Sequence, residues 1–358
     1  MKIRLLGILI TVAALVGACS KDEDTPYVPV VYPYASGAFI ANEGTFGQDN
    51  ASVSFYSYAG DSLEQDIFSR ANGRPLGKLL QSIHLSAGKA YLVLNMSDTV
   101  VVVNANDFKQ TGLITGLSSP RYMTTYNGKG YITQWGGGGA VQVADLATGA
   151  ITHTIKTGMG PEMALTLNNQ VLVCNGGAYD VDSTVTVIDP VENKVVSTIE
   201  VGHNPKEMVA DMQGNVWVLC YGYIKYDGSF NIILETPSKL VKLSGNPLQV
   251  TGSYIIAEKQ HPQHIDISKD KSTVFYGGGF GFNGIYAMDI HATATPATPL
   301  IDGAKSFYGF NVNPQTGDIF AFDAVDFTSA GKMFRYTSDG VLVKEYATGV
   351  APNGAWFR

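Results

Sequence analysis

The sequence predicts an all-β fold, a seven-bladed β-propeller, and three observations support this prediction. The chain has 358 residues, of which 45% are hydrophobic, 15% are charged and 40 are glycine. Such a composition is typical of a chain that folds into many short strands joined by tight turns. A corner motif recurs, reading GMGPEMAL at 158–165 and GHNPKEMV at 202–209. Between corners four short apolar stretches recur, and four strands in about 45 residues is the period of a propeller blade.

The corner motif sets the length of the repeat. Its prolines are separated by 41, 44, 57 and 90 residues, at Pro120, Pro161, Pro205, Pro262 and Pro352. Because 90 is two units of about 45 residues, a further corner without proline is expected near residues 306–308.

The four apolar stretches of each unit are predicted to be strands. They are rich in Val, Ile and Thr and are bounded by Gly, Asn or Asp, which is the usual pattern of a strand. They are clearest at residues 163–167, 171–174, 184–188 and 195–201. The next unit repeats them at 208–211, 216–220, 239–243 and 249–256.

Counting the units predicts how the ring closes. Six units of four strands begin near Leu80, Arg121, Glu162, Lys206, Gln263 and Tyr308. One strand then remains at the C-terminus, 354–357, and three remain at the N-terminus, 38–42, 52–58 and 64–68. Together these four strands make a further blade, so pairing of the first and last strands would close the ring without an open sheet edge. Blades are numbered here from the N-terminus, so this mixed blade is blade 1.

The first residues read as a targeting segment. Lys2 and Arg4 precede an apolar run at 5–16 that is too short to span a bilayer, and the run ends in Val-Gly-Ala before Cys19. The pattern resembles a bacterial lipoprotein signal peptide, which implies removal of residues 1–18 and lipidation of Cys19. Residues 19–36 carry an acidic run and three prolines, which favours an extended, semi-rigid linker. The propeller is expected to span 37–358.

The acidic run at 20–24 resembles the surface-export signal of some Gram-negative lipoproteins, which implies an outer-membrane lipoprotein exposed at the cell surface. A plain solvated linker and a simply secreted protein are the alternatives. Nucleic acid is not expected as a partner, because 31 acidic residues outnumber 24 basic ones and phosphate binding rests on clustered Lys and Arg.

Two stretches resemble a known family of repeats. Residues 183–190 (STVTVIDP) and 194–205 (KVVSTIEVGHNP) are similar to the YVTN-type propeller repeat, which is also found in YncE-like proteins. The sequence Asn42-Glu43-Gly44 after a lipoprotein signal resembles the DUF5074 lipoproteins. The same broad group contains BtuG-like surface propellers. That resemblance implies cobalamin as ligand and an outer-membrane transporter as partner, with the lipid anchor holding the chain at the membrane.

The candidate ligand-binding residues come from loops and corners that share one face of a propeller. The loop joining the second and third strands of each blade lies on the same face as the corner entering the next blade, and six of these loops carry an aromatic residue. Aromatic faces beside scattered polar groups suit a large, flat, partly apolar ligand. Packing between blades is the alternative for any one of these aromatics. The predicted loop residues are Phe46, Trp135, Tyr179, Tyr221, Tyr223, Phe280, Phe282 and Phe327. The predicted corner residues are Arg121, Tyr122, Glu162, Lys206, Gln263, His264, Tyr308 and Asn353.

The sequence carries no recognisable catalytic motif, so no enzyme activity and no resident cofactor are predicted. His261 and His264 flank the Pro262 corner; a metal or acid–base role and a hydrogen-bonded corner role are the alternatives. The pairs Asp180 with Asp182 and Asp323 with Asp326 offer calcium ligands, with turn formation as the alternative. The insert at 221–238 in blade 5 is expected to form a flap.

Cys174 and Cys220 lie in the second strands of adjacent blades. Aligning Met163 with Met208 places Cys174 opposite Leu219 rather than Cys220. The two side chains are therefore expected to point to different faces, as buried free thiols.

Three function hypotheses follow. The first is a surface-anchored protein that binds a small molecule, cobalamin or a related corrinoid, and delivers it to an outer-membrane transporter. The second is a propeller scaffold for protein or glycan interaction. The third is a lactonase-like hydrolase, which requires an acid–base pair or a metal in the central funnel.

Overall fold

Seven small antiparallel sheets and one extra hairpin account for the strands of the computed structural model, which describes residues 32–302 and 307–358. The predicted signal peptide, Cys19 and the linker as far as residue 31 lie outside the described residues. No helix in the described part of the chain is long and apolar enough to cross a membrane.

The first three blades contain the following strands. Blade 1 begins with β1 (Gly37–Asn42), β2 (Ser52–Ser57) and β3 (Ser62–Glu64), followed by the short helix α1 (Ile67–Asn72). Blade 2 contains β4 (Leu80–Ser86), β5 (Lys89–Leu94), β6 (Thr99–Asn104) and β7 (Gln110–Ile114). Blade 3 contains β8 (Pro120–Tyr126), β9 (Lys129–Gln134), β10 (Ala140–Asp145) and β11 (Ile151–Lys156), with a 3₁₀ turn at Gly136–Gly138.

The remaining blades follow in chain order. Blade 4 contains β12 (Pro161–Leu167), β13 (Gln170–Asn175), β14 (Thr184–Asp189) and β15 (Lys194–Glu200). Blade 5 contains β16 (Pro205–Ala210), β17 (Val216–Cys220), the hairpin strands β18 (Tyr223–Tyr226) and β19 (Ile232–Thr236), then β20 (Ser238–Ser244) and β21 (Gln249–Ala257). Blade 6 contains β22 (His264–Ile267), β23 (Thr273–Gly277) and β24 (Ile285–Asp289). Blade 7 contains β25 (Gly309–Val312), β26 (Ile319–Asp323), β27 (Ala330–Tyr336) and β28 (Leu342–Val350).

The last strand, β29 (Pro352–Phe357), closes the ring by completing blade 1. It pairs antiparallel with β1, with Phe39 opposite Trp356 and Ile40 opposite Ala355, so the sheet order is β29-β1-β2-β3. The innermost strands β4, β8, β12, β16, β22, β25 and β29 contact one another in sequence, and β29 contacts β4. The predicted seven-bladed propeller with a mixed first blade is confirmed.

The hydrophobic core is divided into seven layers, one between each pair of neighbouring blades. Successive side chains of each second strand point to opposite faces of the blade, so each second strand contributes side chains to two layers. In β13, Val171 and Val173 face blade 3, while Leu172 and Cys174 face blade 5. Each blade is therefore apolar on both faces, and this double burial is why the strands read as short apolar runs rather than as polar and apolar residues in alternation.

Two strand predictions need correction. The expected third strand of blade 1 at 64–68 is instead β3 at Ser62–Glu64, followed by helix α1, whose Ile67 and Phe68 fill the layer between blades 1 and 2. An apolar pair at the start of a short helix looks like a strand when periodicity is the only guide. Blade 6 has three regular strands in the described residues, and Ile301 forms an isolated bridge to Ile285 in place of a fourth.

Cys174 and Cys220 are buried and free. They nevertheless belong to the same layer, because Cys174 faces forward from blade 4 and Cys220 faces backward from blade 5. The expectation that they are buried free thiols pointing to different faces is confirmed, and they share a layer because opposite faces of adjacent blades meet.

The insert of blade 5 folds as the hairpin β18–β19. His261 connects the base of the hairpin to the next corner. Its Nε2 lies 3.0 Å from Glu235 Oε1 and its Nδ1 lies 2.6 Å from the Tyr221 carbonyl oxygen, while the imidazole packs at a tilt against the Tyr221 ring. The far part of the hairpin exposes Phe230 and Ile233.

Candidate functional site

A funnel of about 470 Å³ opens at the end of the central channel where the corners lie. Each corner turns the chain into an innermost strand, so the first residue after the corner proline stands at the funnel wall. Arg121, Glu162, Lys206 and Asn353 all occupy this position, in blades 3, 4, 5 and 1. The volume lies in the range of about 300–1,000 Å³ that is usual for small-molecule sites.

The wall formed by blades 3 to 5 carries a buried carboxylate between two cations. Glu162 Oε2 lies 2.9 Å from Arg121 Nε, and Glu162 Oε1 lies 3.0 Å from Lys206 Nζ. Burial acts to raise the pKa of Glu162, but the charges of Arg121 and Lys206 outweigh it and hold this pKa below its ordinary value. Arg121 also donates to Gln81 and lies 4.2 Å from the ring centroid of Trp135, so its guanidinium is held in one plane.

The wall formed by blade 1 carries a second carboxylate with neutral partners. Asn353 Nδ2 donates to Glu43 Oε1 at 2.9 Å, and the Tyr308 hydroxyl donates to both Glu43 oxygens at 3.1 Å. Burial raises the pKa of Glu43, while Asn353, Arg121 and Tyr308 only partly oppose that effect. The oxygen Oδ1 of Asn353 is buried and has no hydrogen-bond partner.

The third polar group joins blades 3, 5 and 6. Glu207 Oε1 accepts from the Tyr122 hydroxyl at 3.2 Å and lies 3.1 Å from His264 Nδ1. Burial lowers the pKa of His264, but Glu207 outweighs it and the pKa is raised.

Aromatic side chains gather in two clusters around the mouth. Trp135 and Tyr179 meet edge to face at 5.3 Å between ring centroids. On blades 6 and 7, Phe280, Tyr308 and Phe327 form a triad with centroid separations of 4.9 to 5.7 Å. Tyr179 is 96% exposed and Phe280 is 65% exposed, so both clusters present apolar surface at the opening.

The structure brings thirteen of the sixteen predicted ligand-binding residues together at this funnel. They are Phe46, Arg121, Tyr122, Trp135, Glu162, Tyr179, Lys206, Gln263, His264, Phe280, Tyr308, Phe327 and Asn353. Phe282, Tyr221 and Tyr223 do not line the funnel. Phe282 is 2% exposed and packs between blades 5 and 6. The hairpin draws Tyr221 towards His261 and Tyr223 towards His203, because the long insert changes the course of that loop.

Several wall residues were missed from the sequence, above all Glu43, Glu207, Gln81 and Asn311. Two of them had a usable signal. Glu43 follows β1, the second strand of its blade, as Trp135 follows β9, and Glu207 is next to Lys206 in the corner motif. The prediction took only aromatic residues from the loops, so it omitted Glu43. It included Tyr122 and His264 at the corner position equivalent to Glu207 but did not extend that position to blade 5.

The metal and acid–base alternatives find little support in the geometry. Asp182 Oδ1 accepts from the backbone N–H groups of Ser183 and Thr184, and Oδ2 accepts from that of Met159, so both oxygens serve the loop. Asp326 similarly accepts from the backbone of Thr328 and Ser329. Among the described residues no group of three His, Cys, Asp or Glu side chains is placed to hold a metal ion. His264 Nδ1 lies 3.1 Å from Glu207 Oε1, which favours its corner role.

Comparison with known proteins places the fold. The family model described as "Domain of unknown function (DUF5074)" matches residues 36–357. No curated protein matches the chain in sequence.

Similar solved structures include a quinonprotein alcohol dehydrogenase-like protein of Bacteroides thetaiotaomicron, with a TM-score of 0.68 and 18% identity over 90% of this chain and 78% of that one. A putative 6-phosphogluconolactonase of Bacteroides fragilis has a TM-score of 0.67 and 11% identity over 91% and 99%. The hydrazine synthase of Kuenenia stuttgartiensis has a TM-score of 0.63 and 15% identity over 77% and 88%. At these identities the likeness is one of fold alone.

Proposed function

The chain belongs to the DUF5074 family, and from this premise we propose that it binds a small, flat, partly apolar molecule in the funnel. The observation that carries the proposal is the pairing of an aromatic mouth with a polar wall. Exposed Phe46, Tyr179 and Phe280 offer stacking area, while Arg121 and Glu43 stand deeper and can fix a ligand's orientation.

Within that class we propose cobalamin or a related corrinoid as the ligand. A corrinoid has a broad, nearly flat ring with amide groups around its edge, which matches rings at the mouth and hydrogen-bonding groups below. The molecule is larger than the funnel, so one edge would enter while the rest lies against Tyr179 and Phe280.

We further propose that the chain is held at the outer membrane through lipidated Cys19, faces the cell exterior and passes its ligand to an outer-membrane transporter. The support is the pattern of residues 1–24 together with an open funnel that needs no chemistry to release a ligand. A tether raises the effective concentration of one partner near the other. Mass spectrometry of the mature N-terminus and protease treatment of intact cells test the anchor and the exposed side. An unmodified Cys19 would contradict the anchor.

The decisive experiment for the ligand is calorimetric titration of the purified chain with cobalamin and with cobinamide. Trp135→Ala and Tyr179→Ala are each expected to weaken binding about tenfold, since stacked aromatic contacts contribute roughly 0.5–1.5 kcal/mol beyond the area they bury. Tyr226→Ala is the matched control, because Tyr226 is an aromatic residue that is 50% exposed but lies on the hairpin. The corrinoid proposal would be contradicted if neither corrinoid gave a binding signal, or if the wild-type chain and all variants bound with equal affinity.

A protein-interaction scaffold is the second candidate, favoured by the exposed apolar residues of the hairpin. Phe230 is 87% exposed and Ile233 is 57% exposed, which is unusual for a surface with no partner. Replacing both with Ser would leave ligand affinity at the funnel unchanged and abolish association with a partner in co-purification. If association persists, the hairpin is not the interface.

A further inference from the structure

The charge on the wall formed by blades 3 to 5 does not balance. Glu162 is bonded through both oxygens, one to Arg121 and one to Lys206, so two cations share a single carboxylate. The other funnel carboxylates have different partners: Glu207 is held by His264 and Tyr122, and Glu43 is held by neutral donors. In the described part of the chain neither of them forms an ion pair with Arg121 or Lys206. In the ion pairs around Glu162, the cations therefore outnumber the carboxylates by one.

Hydrogen-bond donors at the same wall are also left over. The Lys206 ammonium carries three N–H groups and bonds to Glu162 through one of them. Arg121 carries five, of which Nε binds Glu162 and Nη1 binds Gln81. The indole Nε1 of Trp135 is buried and has no acceptor, although a buried unpaired donor is costly. All three side chains line the funnel.

We propose that the funnel binds the oxyanion of its ligand, a carboxylate or a phosphate, against Arg121 and Lys206. The inference rests on the proposed function, which puts a small molecule in the funnel, and it adds the charge class of that molecule. Hydrogen bonds between a cation and an oxyanion are about twice as strong as neutral ones, and partial burial strengthens them further. Stacking on Trp135 holds the Arg121 guanidinium in one plane, as a fork for two oxygens.

The flat body of the ligand follows from the neighbouring rings. Trp135 stands between Arg121 at 4.2 Å and the edge-on ring of Tyr179 at 5.3 Å. Tyr179 is 96% exposed, so its ring is free to turn aside. An aromatic or conjugated acid can place its oxyanion at Arg121 and Lys206 while its ring covers the side chains of Trp135 and Tyr179.

Three probes that differ in one group test the inference: 2-naphthoate, 2-naphthyl phosphate and the neutral 2-naphthamide. Their affinities for the purified chain are measured from the indole N–H signals of ¹⁵N-labelled tryptophan. The chain has three tryptophans, and Trp217 is an internal reference because its Nε1 donates to Asp211 at 3.0 Å inside the layer between blades 5 and 6. The Trp135 signal, assigned by Trp135→Phe, is expected to shift with the anionic probes. The amide is expected to bind at least about tenfold more weakly.

Lys206→Met keeps the aliphatic length and removes the charge. It is expected to weaken the anionic probes about tenfold, to the level of the amide, and to leave amide affinity unchanged. Lys242→Met is the matched control: Lys242 lies in the same blade, over the ring of Trp217 and 4.0 Å from Asp211, with a similarly covered side chain outside the funnel. Preference for only one of the two anions would tell a carboxylate ligand from a phosphate.

Equal affinities for all three probes, or equal weakening of all three by Lys206→Met, would overturn the inference. Failure of binding by every probe at millimolar concentration would overturn it as well. If corrinoids bind but the anionic probes bind no more tightly than the amide, the corrinoid proposal is supported and the anion subsite is contradicted. If binding of the anionic probes depends on Lys206 but corrinoids do not bind, the anion subsite is supported and the corrinoid proposal is contradicted.

Discussion

Individual carboxyl groups near the funnel differ in pKa because burial and hydrogen bonding act against each other. Asp266, on the innermost strand of blade 6, accepts from the backbone N–H of Val312 at 2.8 Å and from Asn311 Nδ2 at 3.3 Å. Burial nevertheless dominates and raises the pKa of Asp266 to about 6. Asp326, in an exposed loop, accepts backbone and side-chain bonds from Thr328 and Ser329, and these hold its pKa below the ordinary value. The two carboxyl groups accept similar hydrogen bonds, but the pKa of Asp266 is raised because it is buried, whereas the pKa of exposed Asp326 is lowered.

Asp266→Asn is expected to change the pH dependence of stability between about pH 4 and 6. In this window the folded state binds the Asp266 proton and the unfolded state does not, so the contribution of Asp266 to stability falls as pH rises, by on the order of 2 kcal/mol. The free energy of unfolding is measured with urea at several pH values. In the variant it is expected not to show this decrease between pH 4 and 6.

Asp326→Asn is the control with the opposite sign. A lowered pKa stabilises the fold above the unfolded pKa and that stability is lost as pH falls, so this variant is expected to alter the profile only below about pH 4. An unchanged slope between pH 4 and 6 in Asp266→Asn would show that Asp266 titrates normally.

At the scale of elements, the corners decide where each blade begins. The residue before the innermost strand has a left-handed φ of +49° to +56° in five blades, at Leu79, Ser119, Gly160, Asn204 and Ala351. Four of these are not glycine, and each costs roughly 1–2 kcal/mol. The repeated conformation turns the chain sharply, so that the residue two positions further along reaches the funnel wall. Blades 7 and 1 also approach closely, since a Cβ on Gly309 would lie 2.1 Å from the Asn353 carbonyl oxygen.

Gly309→Ala is expected to destabilise the protein by about 2 kcal/mol or more, because the new methyl group would push the innermost strands of blades 7 and 1 apart. Gly112→Ala is the matched control: Gly112 is also in a strand, but its added Cβ would meet Val102 at an ordinary 3.6 Å. The control is expected to be neutral or slightly stabilising. Urea unfolding of both variants provides the comparison, and equal effects would contradict the close approach.

At the scale of the whole molecule, the closure of blade 1 joins the two ends of the chain. Arg358 extends this junction: its backbone N–H donates to Gly37 at 2.8 Å and its guanidinium donates to the carbonyl oxygens of Tyr34 and Ala105. Strand β29 also contributes Ala355 to the layer between blades 7 and 1. Without β29 the innermost edge of β1 would be open and the ring of inner strands interrupted.

Deletion of residues 354–358 is expected to lower the melting temperature by at least about 5 °C, since it removes strand pairing and opens two hydrophobic layers. Replacing residues 225–234 of the hairpin with a short Gly-Ser link is the control, because this removes chain that lies outside the ring. Differential scanning calorimetry is expected to show a small change for the control. A truncated chain that melts like the intact one would mean that closure contributes little.

The repeat, the number of blades and most of the funnel wall could be predicted from the amino-acid sequence. Corner motifs and double-faced apolar strands are local patterns, and in a ring of equivalent blades a local position such as Arg121 or Lys206 also specifies a place in space. The exceptions are where one blade departs from the repeat: the insert displaced Tyr221 and Tyr223, and a short helix replaced the strand expected at 64–68.

The contacts between side chains of different blades could be identified only from the three-dimensional structure. Glu162 is shared by Arg121 and Lys206, Glu43 meets Asn353 from the other end of the chain, and Cys174 shares a layer with Cys220. These contacts join residues that belong to different blades or opposite termini. Their distances depend on how tightly seven blades close around one axis, and no local pattern carries that information.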